Sequence, residues 1–248
     1  MHGVARIEPA GKVAADRDPS FHIMRRMEHS PTTIDAKGVR AYEGWRNKYA
    51  AEKDRCSGYD QHYAGPPGRR YSSWLDARMV GKALKGLARE ALVLDSPCGG
   101  GRISRGLRSY GLRPIVADYS PWMVQESLPG AVGGVRLDAM RLPFRDKSFP
   151  ASVCFRFLHS VPPAMRLAAI RELGRVSEVV VLNYLNAISA RNLKRFLFGG
   201  KQLTKRVTEP QAIAEAESAG LRVVRCVYKT RFFFEDFVVV AKGPPSAS

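Results

Sequence analysis

The chain is short of cysteine, of acids and of long apolar runs, and each shortage removes a class of protein. Only four cysteines (Cys56, Cys98, Cys154 and Cys226) occur in 248 residues. No two of them form a C-x-x-C pair, which excludes a zinc ribbon and a thioredoxin-type redox centre. Thiols this sparse read as reduced residues of a cytosolic protein, not as a disulfide framework. No stretch approaches the ~20 apolar residues that a bilayer crossing needs. The longest candidates, Val179–Leu182 and Phe237–Ala241, have strand length. Residues following Met1 carry mixed charge (Arg6, Glu8, Lys12, Asp16) and lack the apolar middle of a secretory signal, so a cytoplasmic location is expected. Asp and Glu number 23 against 40 Lys and Arg, a formal net charge of +17. That sign attracts RNA, anionic lipid or phosphorylated metabolites, or else reflects an Arg-rich composition alone. The 45% apolar content supplies a sizeable core and excludes wholesale disorder.

Residues 1–37 show no sustained period and are expected to be disordered. Residues 38–90 read as an N-terminal helical cap, with Tyr42, Trp45 and Tyr49 on one helical face. Gly65-Pro66-Pro67-Gly68 breaks that helical region, and a second helix is expected from Ser72 to Leu87. Residues 91–243 then alternate strands (92–95, 114–118, 135–138, 151–157, 179–183, 221–229, 233–241) with helices (102–110, 121–127, 163–174, 209–219). This alternation predicts an α/β fold with a parallel sheet covered on both faces and an antiparallel pair at the end.

The sharpest local signal is Asp95-Ser96-Pro97-Cys98-Gly99-Gly100-Gly101-Arg102, a strand end running through glycines into a helix. Glycine lets backbone approach a ligand, and a helix start favours a negative group. A dinucleotide fingerprint needs a third glycine where Ser104 stands, and a P-loop needs a lysine that is absent. Three acids, Asp95, Asp118 and Asp138, end successive strands and so border one crevice of an open sheet. Asp118 follows Asp95 by 23 positions, near the ~20-residue spacing at which an acid meets ribose hydroxyls. Singly each acid is a solvated strand cap; three in succession point to a nucleoside.

Together these segments resemble class I S-adenosylmethionine-dependent methyltransferases. The matching pieces are Val93-Leu94-Asp95-x-Pro97-Cys98-Gly99-x-Gly101-Arg102, Ala117-Asp118-Tyr119-Ser120-Pro121-x-Met123, Asp138–Phe144, Asp146–Phe149 and Phe155–His159, spread over Ala91 to Gly243. The resemblance implies a Rossmann-like, doubly wound, seven-stranded sheet with its last strand antiparallel, an N-terminal helical extension and S-adenosyl-L-methionine as cofactor. It implies that the loop of Asp95, Pro97, Cys98, Gly99 and Gly101 cradles the methionine part. Asp118 would bind the ribose, with Tyr119 and Met123 near the adenine. Asp138 would accept from the adenine amine beside Ala139 and Met140, and Phe155 and Arg156 would line the substrate side. Pro97 replaces the usual first glycine, as in a Pro-Cys-Gly subset of the family, and Pro150 replaces a common acid.

Methyl transfer from a sulfonium is an in-line displacement that needs orientation and no metal. His159 follows the fourth strand and has a reference pKa suited to a general base, or serves as a structural histidine. The Asp/Asn-Pro-Pro-Tyr/Phe motif of many amine methyltransferases is absent, and Cys154 lies inside a strand, unlike the Pro-Cys of cytosine-carbon enzymes. A hydroxyl acceptor, carried by a small molecule or linked to lipid or saccharide, is therefore expected. Asn183 and Tyr184 are candidates to face it, and Tyr49, Tyr59 and Tyr63 either cap the pocket or pack in a core. A basic insertion at 187–207, with Arg191, Lys194, Arg195, Lys201, Lys205 and Arg206, is a lid helix or a seat for an anionic surface or phosphorylated acceptor. The alternatives are an RNA methyltransferase, which lacks any appended RNA-binding module here, and a cofactor- or RNA-binding protein without catalysis.

Overall fold

In the computed structural model, residues 36–51, 53, 67–190, 192, 206–230 and 233–244 are described. Helix α1 (Ala36–Ala51) and helix α2 (Pro67–Ala83) precede the first strand. Then follow β1 (Leu92–Asp95), α3 (Arg102–Arg108), β2 (Arg113–Asp118), α4 (Pro121–Ser127), β3 (Gly133–Arg136) and β4 (Phe149–Cys154). The chain continues through α5 (Pro163–Val176), β5 (Ser177–Leu185), α6 (Glu209–Ser218), β6 (Arg222–Tyr228) and β7 (Asp236–Lys242). The seven strands form one sheet in the order β3-β2-β1-β4-β5-β7-β6. Pairs are parallel except those made by β7, which runs antiparallel between β5 and β6.

Side-chain alternation sorts the helices onto two faces. Val93, Val153, Val181 and Val238 point to the face covered by Met79, Val80 and Ala83 of α2 and by Ile103 and Leu107 of α3. Leu94, Leu182, Phe237 and Val239 point the other way, onto Ile170 and Leu173 of α5 and Ala212 and Ala216 of α6. Thr208 and Gln211 start α6 with reciprocal capping hydrogen bonds.

Several boundaries depart from the sequence reading, each for a local reason. Ala36 and Lys37 belong to α1, not to the segment expected to be disordered. α2 begins at Pro67, inside the expected breaker, because proline is pre-organised for a first helical turn. It packs on one face of the sheet, in the same apolar cluster as α3. β3 ends at Arg136, which leaves Asp138 beyond the strand. Gly133-Gly134 looks like a turn, yet a Cβ on Gly134 would lie 2.8 Å from Val124 Cγ1 and 3.0 Å from Val116 Cγ2. That glycine is what lets the edge strand lie close beneath α4. β4 stops at Cys154, not at Phe157, since Arg156 leaves extended backbone with φ of 53°.

A buried ion-pair cluster ties α2 to the far edge of the sheet. Lys229, at the end of β6, has a fully buried side chain 2.7 Å from Asp76 of α2, itself fully buried. Its ammonium also donates to Ser72 Oγ at 2.7 Å and lies 3.8 Å from Asp236. Arg102 completes the group at 2.6 Å from Asp76. Charges this deep persist only when paired. Lys229→Met should therefore lower unfolding stability by about 3–5 kcal/mol, because it strands buried carboxylates. Chemical denaturation reads this directly, and an unchanged midpoint would remove the cluster from the fold's energetics.

Candidate functional site

The carboxyl ends of β1, β2 and β4, with the loop after β3 and one face of α1, surround a cavity of about 460 Å³. Its floor is built by a reciprocal stitching of loops. Asp118, ending β2, accepts from Gly99 N through Oδ2 and from Ser120 N through Oδ1, both at 3.0 Å. The first bond joins the glycine loop to the next strand end; the second holds the start of α4. Burial pushes the Asp118 carboxyl up to about 6, opposed by the backbone donors of Ser120, Gly99 and Tyr119. A carboxylate has about four lone-pair positions, so the backbone donors leave acceptor capacity for a ligand.

Pro97, Gly99, Asp118, Tyr119, Met123, Asp138, Ala139, Met140, Phe155, Arg156 and His159 all line this cavity. Three other residues of the expected cofactor loop do not. Asp95 is turned inward, where its Oδ2 accepts from Ser104 Oγ of α3, and burial pushes its carboxyl up to about 7. Its Oδ1 is buried with no hydrogen-bond partner. Cys98 is buried against Val116 and Val124, and burial drives its thiol far above its usual range, so it is no nucleophile. Gly101 lies behind the loop at φ of 74°, where a Cβ would sit 2.7 Å from Ser127 Cα.

Sequence reasoning missed Arg46. Its guanidinium stands 2.7 Å from Asp138 Oδ2 and 4.2 Å above the Tyr119 ring centroid, while Met140 N donates to the other Asp138 oxygen at 3.0 Å. The spacing of Tyr42, Trp45 and Tyr49 predicts one helical face but gives no hint that an arginine between them reaches the cavity. Tyr42 packs edge-on against Phe157 at 6.5 Å, and Tyr49 lines the cavity. Tyr59, Tyr63 and the side chain of Trp45 lie outside the described residues.

Arg156 occupies the left-handed region that disfavours a side chain, a strain of roughly 1–3 kcal/mol. Two bonds hold it there. Its N–H donates to Asn183 Oδ1 at 3.1 Å, and its guanidinium donates to Asp236 at 3.0 Å. Asn183 is thus a fully buried bracket behind Arg156, and Tyr184 is stacked on Phe237 within the core; neither lines the cavity. Of the basic insertion, Arg206 is paired with Glu235 at 2.8 Å, and Arg191, Lys194, Arg195, Lys201 and Lys205 lie outside the described residues. Among the described residues no group of His, Cys, Asp and Glu could hold a metal, and no helix is long and apolar enough to cross a membrane.

Residues 94–178 match a family model described as a methyltransferase domain. Solved structures share the fold at low identity. A chain from the complex of the Haloferax volcanii Trm112 methyltransferase activator with a methyltransferase is 17% identical, with a TM-score of 0.58 over 82% of this chain and 99% of that one. Magnesium protoporphyrin IX methyltransferase from Synechocystis, with S-adenosylmethionine bound, is 17% identical, with a TM-score of 0.59 over 86% and 99%. A TehB-like S-adenosylmethionine-dependent methyltransferase from Corynebacterium glutamicum is 18% identical, with a TM-score of 0.54 over 84% and 98%. No curated protein sequence matches the chain. Residues 94–178 thus carry the pattern of a methyltransferase domain, on the fold that these S-adenosylmethionine-dependent methyltransferases share.

The residues present fit S-adenosylmethionine, the molecule bound in the Synechocystis structure. The cavity falls within the ~300–1,000 Å³ of small-molecule sites, and Asp118 offers unused acceptor positions beside a glycine turn. The positive φ at Gly101 and the close approach of Ser127 hold that turn in place. Gly101→Ala should cost about 1–3 kcal/mol of stability, from strain and overpacking together. Thermal unfolding of the purified variant tests it; an unshifted transition would mean that the turn tolerates a side chain.

Proposed function

We propose that the protein transfers the methyl group of S-adenosylmethionine to a hydroxyl oxygen of a small-molecule, lipid-linked or saccharide-linked acceptor. The observation that carries this reading is that His159 shares one cavity with the acceptor-rich carboxylate of Asp118. The cofactor supplies an electrophilic methyl on a positively charged sulfur. In this reading Asp118 accepts from the ribose hydroxyls, and Asp138 receives the adenine amine beside Ala139 and Met140. Tyr119 and Met123 flank the base, and Pro97 and Gly99 of the glycine turn lie along the methionine part. Arg46, now over Tyr119 and paired with Asp138, closes this end of the cavity.

On the opposite wall Phe155, Arg156, Phe157 and His159 bound the space left for the acceptor. His159 would take the hydroxyl proton as the methyl passes from sulfur to oxygen, leaving a methyl ether, S-adenosylhomocysteine and a protonated imidazole. Orientation supplies most of the acceleration, and a positioned base adds about 10²–10⁴-fold.

Two measurements test this assignment. Calorimetric affinity for S-adenosylhomocysteine should stay level above neutrality and weaken as pH falls through about 6, because protonation converts Asp118 from a pure acceptor into a partial donor. Asp118→Asn should abolish that step, and a wild-type profile level down to acid pH would remove Asp118 from the ribose. In the second, tritiated methyl from S-adenosylmethionine is followed into lipid, polar and RNA fractions of a cell extract. Label should enter lipid or polar fractions, and His159→Ala should cut it by about 10²–10⁴-fold with homocysteine-product affinity within about three-fold. Label confined to RNA would overturn the acceptor class.

A further inference from the structure

The buried face of α2 is consumed by the sheet, but its outer face has an unusual composition. Arg70, Tyr71, Trp74, Arg78 and Lys82 fall within an arc of about 120° at 100° per residue, over roughly 18 Å of helix. Tyr71 and Trp74 are 57% and 52% exposed. Asp76, the helix's single acid, is fully buried on the opposite side against Lys229 and Arg102. The outer face therefore carries three cations and two aromatic rings with no carboxylate of its own. The β6–β7 hairpin meets this helix where Lys229 donates to Ser72, and its turn presents Phe233 at 77% exposure.

We infer that this face of α2, with Phe233, docks the protein on an anionic membrane surface. Tyr and Trp are the side chains that settle at a membrane–water interface, and Lys and Arg beside them meet anionic headgroups while their stems cover apolar surface. Single-stranded nucleic acid fits the same charge less well. Binding by base stacking needs open ring faces, whereas Trp74 has Tyr71 stacked on it at 5.8 Å and the Arg78 guanidinium over it at 5.3 Å. Rings already engaged in these contacts suit a headgroup layer better than a stack of bases.

The position of the face suits the acceptor proposed above, on which this inference depends for its purpose. Asp236 contacts both Lys229 and the cavity-lining Arg156. The hairpin root that abuts α2 is thus one ion pair away from the acceptor wall. A lipid-linked hydroxyl would meet the cavity from the membrane side without leaving its bilayer.

The test uses the full-length protein and vesicles of phosphatidylcholine alone or with about one-third phosphatidylglycerol. Cosedimentation should require the anionic lipid and weaken steeply as salt rises, because these charges are exposed. Trp74→Ala should weaken it by about ten-fold, and Arg78→Glu with Lys82→Glu by more than about twenty-five-fold, since each cation contributes about five-fold. Both variants change exposed residues outside the cavity, so S-adenosylhomocysteine affinity should be unchanged in each. Equal binding to neutral vesicles, or vesicle binding indifferent to both variants, would overturn the inference. So would loss of labelled oligouridylate binding in these variants with vesicle binding intact, which would make this an RNA face. A wild-type protein that ignores S-adenosylhomocysteine yet binds vesicles would fail the methyltransferase reading and leave the membrane face standing.

Discussion

The site depends on a carboxylate whose own needs are met by backbone. Asp118 ends β2 and accepts from two loop amides, those of Gly99 and Ser120, donors that would be costly to bury unpaired. By taking one from each neighbouring loop it fixes the glycine turn after β1 relative to the start of α4. The bonds are what keep a half-buried acid from being driven further toward neutrality. Asp95 solves a different problem. It is turned away from the cavity and clamps Ser104, so that α3 is seated on the strand it follows. Asp138, beyond the end of β3, is held from outside the sheet by Arg46. Three acids at successive strand ends therefore perform three tasks, and only two of them face the cavity.

The Arg156 side of the cavity is organised by the opposite charge. Arg156 sits in a backbone conformation that is tolerated because Asn183 and Asp236 hold both its amide and its guanidinium. Asp236 in turn approaches Lys229, which grips Asp76 and Ser72 of α2. A strained cavity residue is thereby connected to the helix that precedes the sheet, through side chains removed from water. A network of this kind gains little over apolar packing in stability. Its consequence is positional, since each ion can occupy only one place without exposing another.

Features that repeat a local rule were legible in the amino-acid sequence. Leu92–Asp95 and Pro114–Asp118 are apolar runs closed by acids, and the Pro after Ser120 starts a helix, so the crevice could be read directly and most of its lining through the family resemblance. The match of residues 94–178 to a methyltransferase domain rests on the same local pattern. β3 was misplaced because Gly133-Gly134 has the composition of a turn and is a strand only by virtue of what packs over it. Arg46 and Lys229 escaped notice for a shared reason. A lysine or arginine in an amphipathic segment looks solvated, and its burial is decided by a partner 92 positions away for Arg46 and by α2 for Lys229. Asn183 looked like an acceptor ligand because it ends a predicted strand; β5 continues for two more residues and leaves it beneath Arg156.

The net charge of +17 divides by location. Arg46, Arg102, Arg156, Arg206 and Lys229 are each within 4 Å of a carboxylate, so inside the domain cations arrive with their counter-charges. The unmatched excess must lie where water screens it, and the outer side of α2 is one such place. Screening sets the reach of that excess to about 10 Å at ordinary salt. It can act on a surface the protein touches, but hardly on chemistry inside the cavity. The converse holds for Asp118, whose low-dielectric surroundings make it matter to a bound ligand and conceal it from an approaching one. Arrival and binding are thus served by separate sets of charges, which is why a substitution on α2 and one at Asp118 are expected to move different observables.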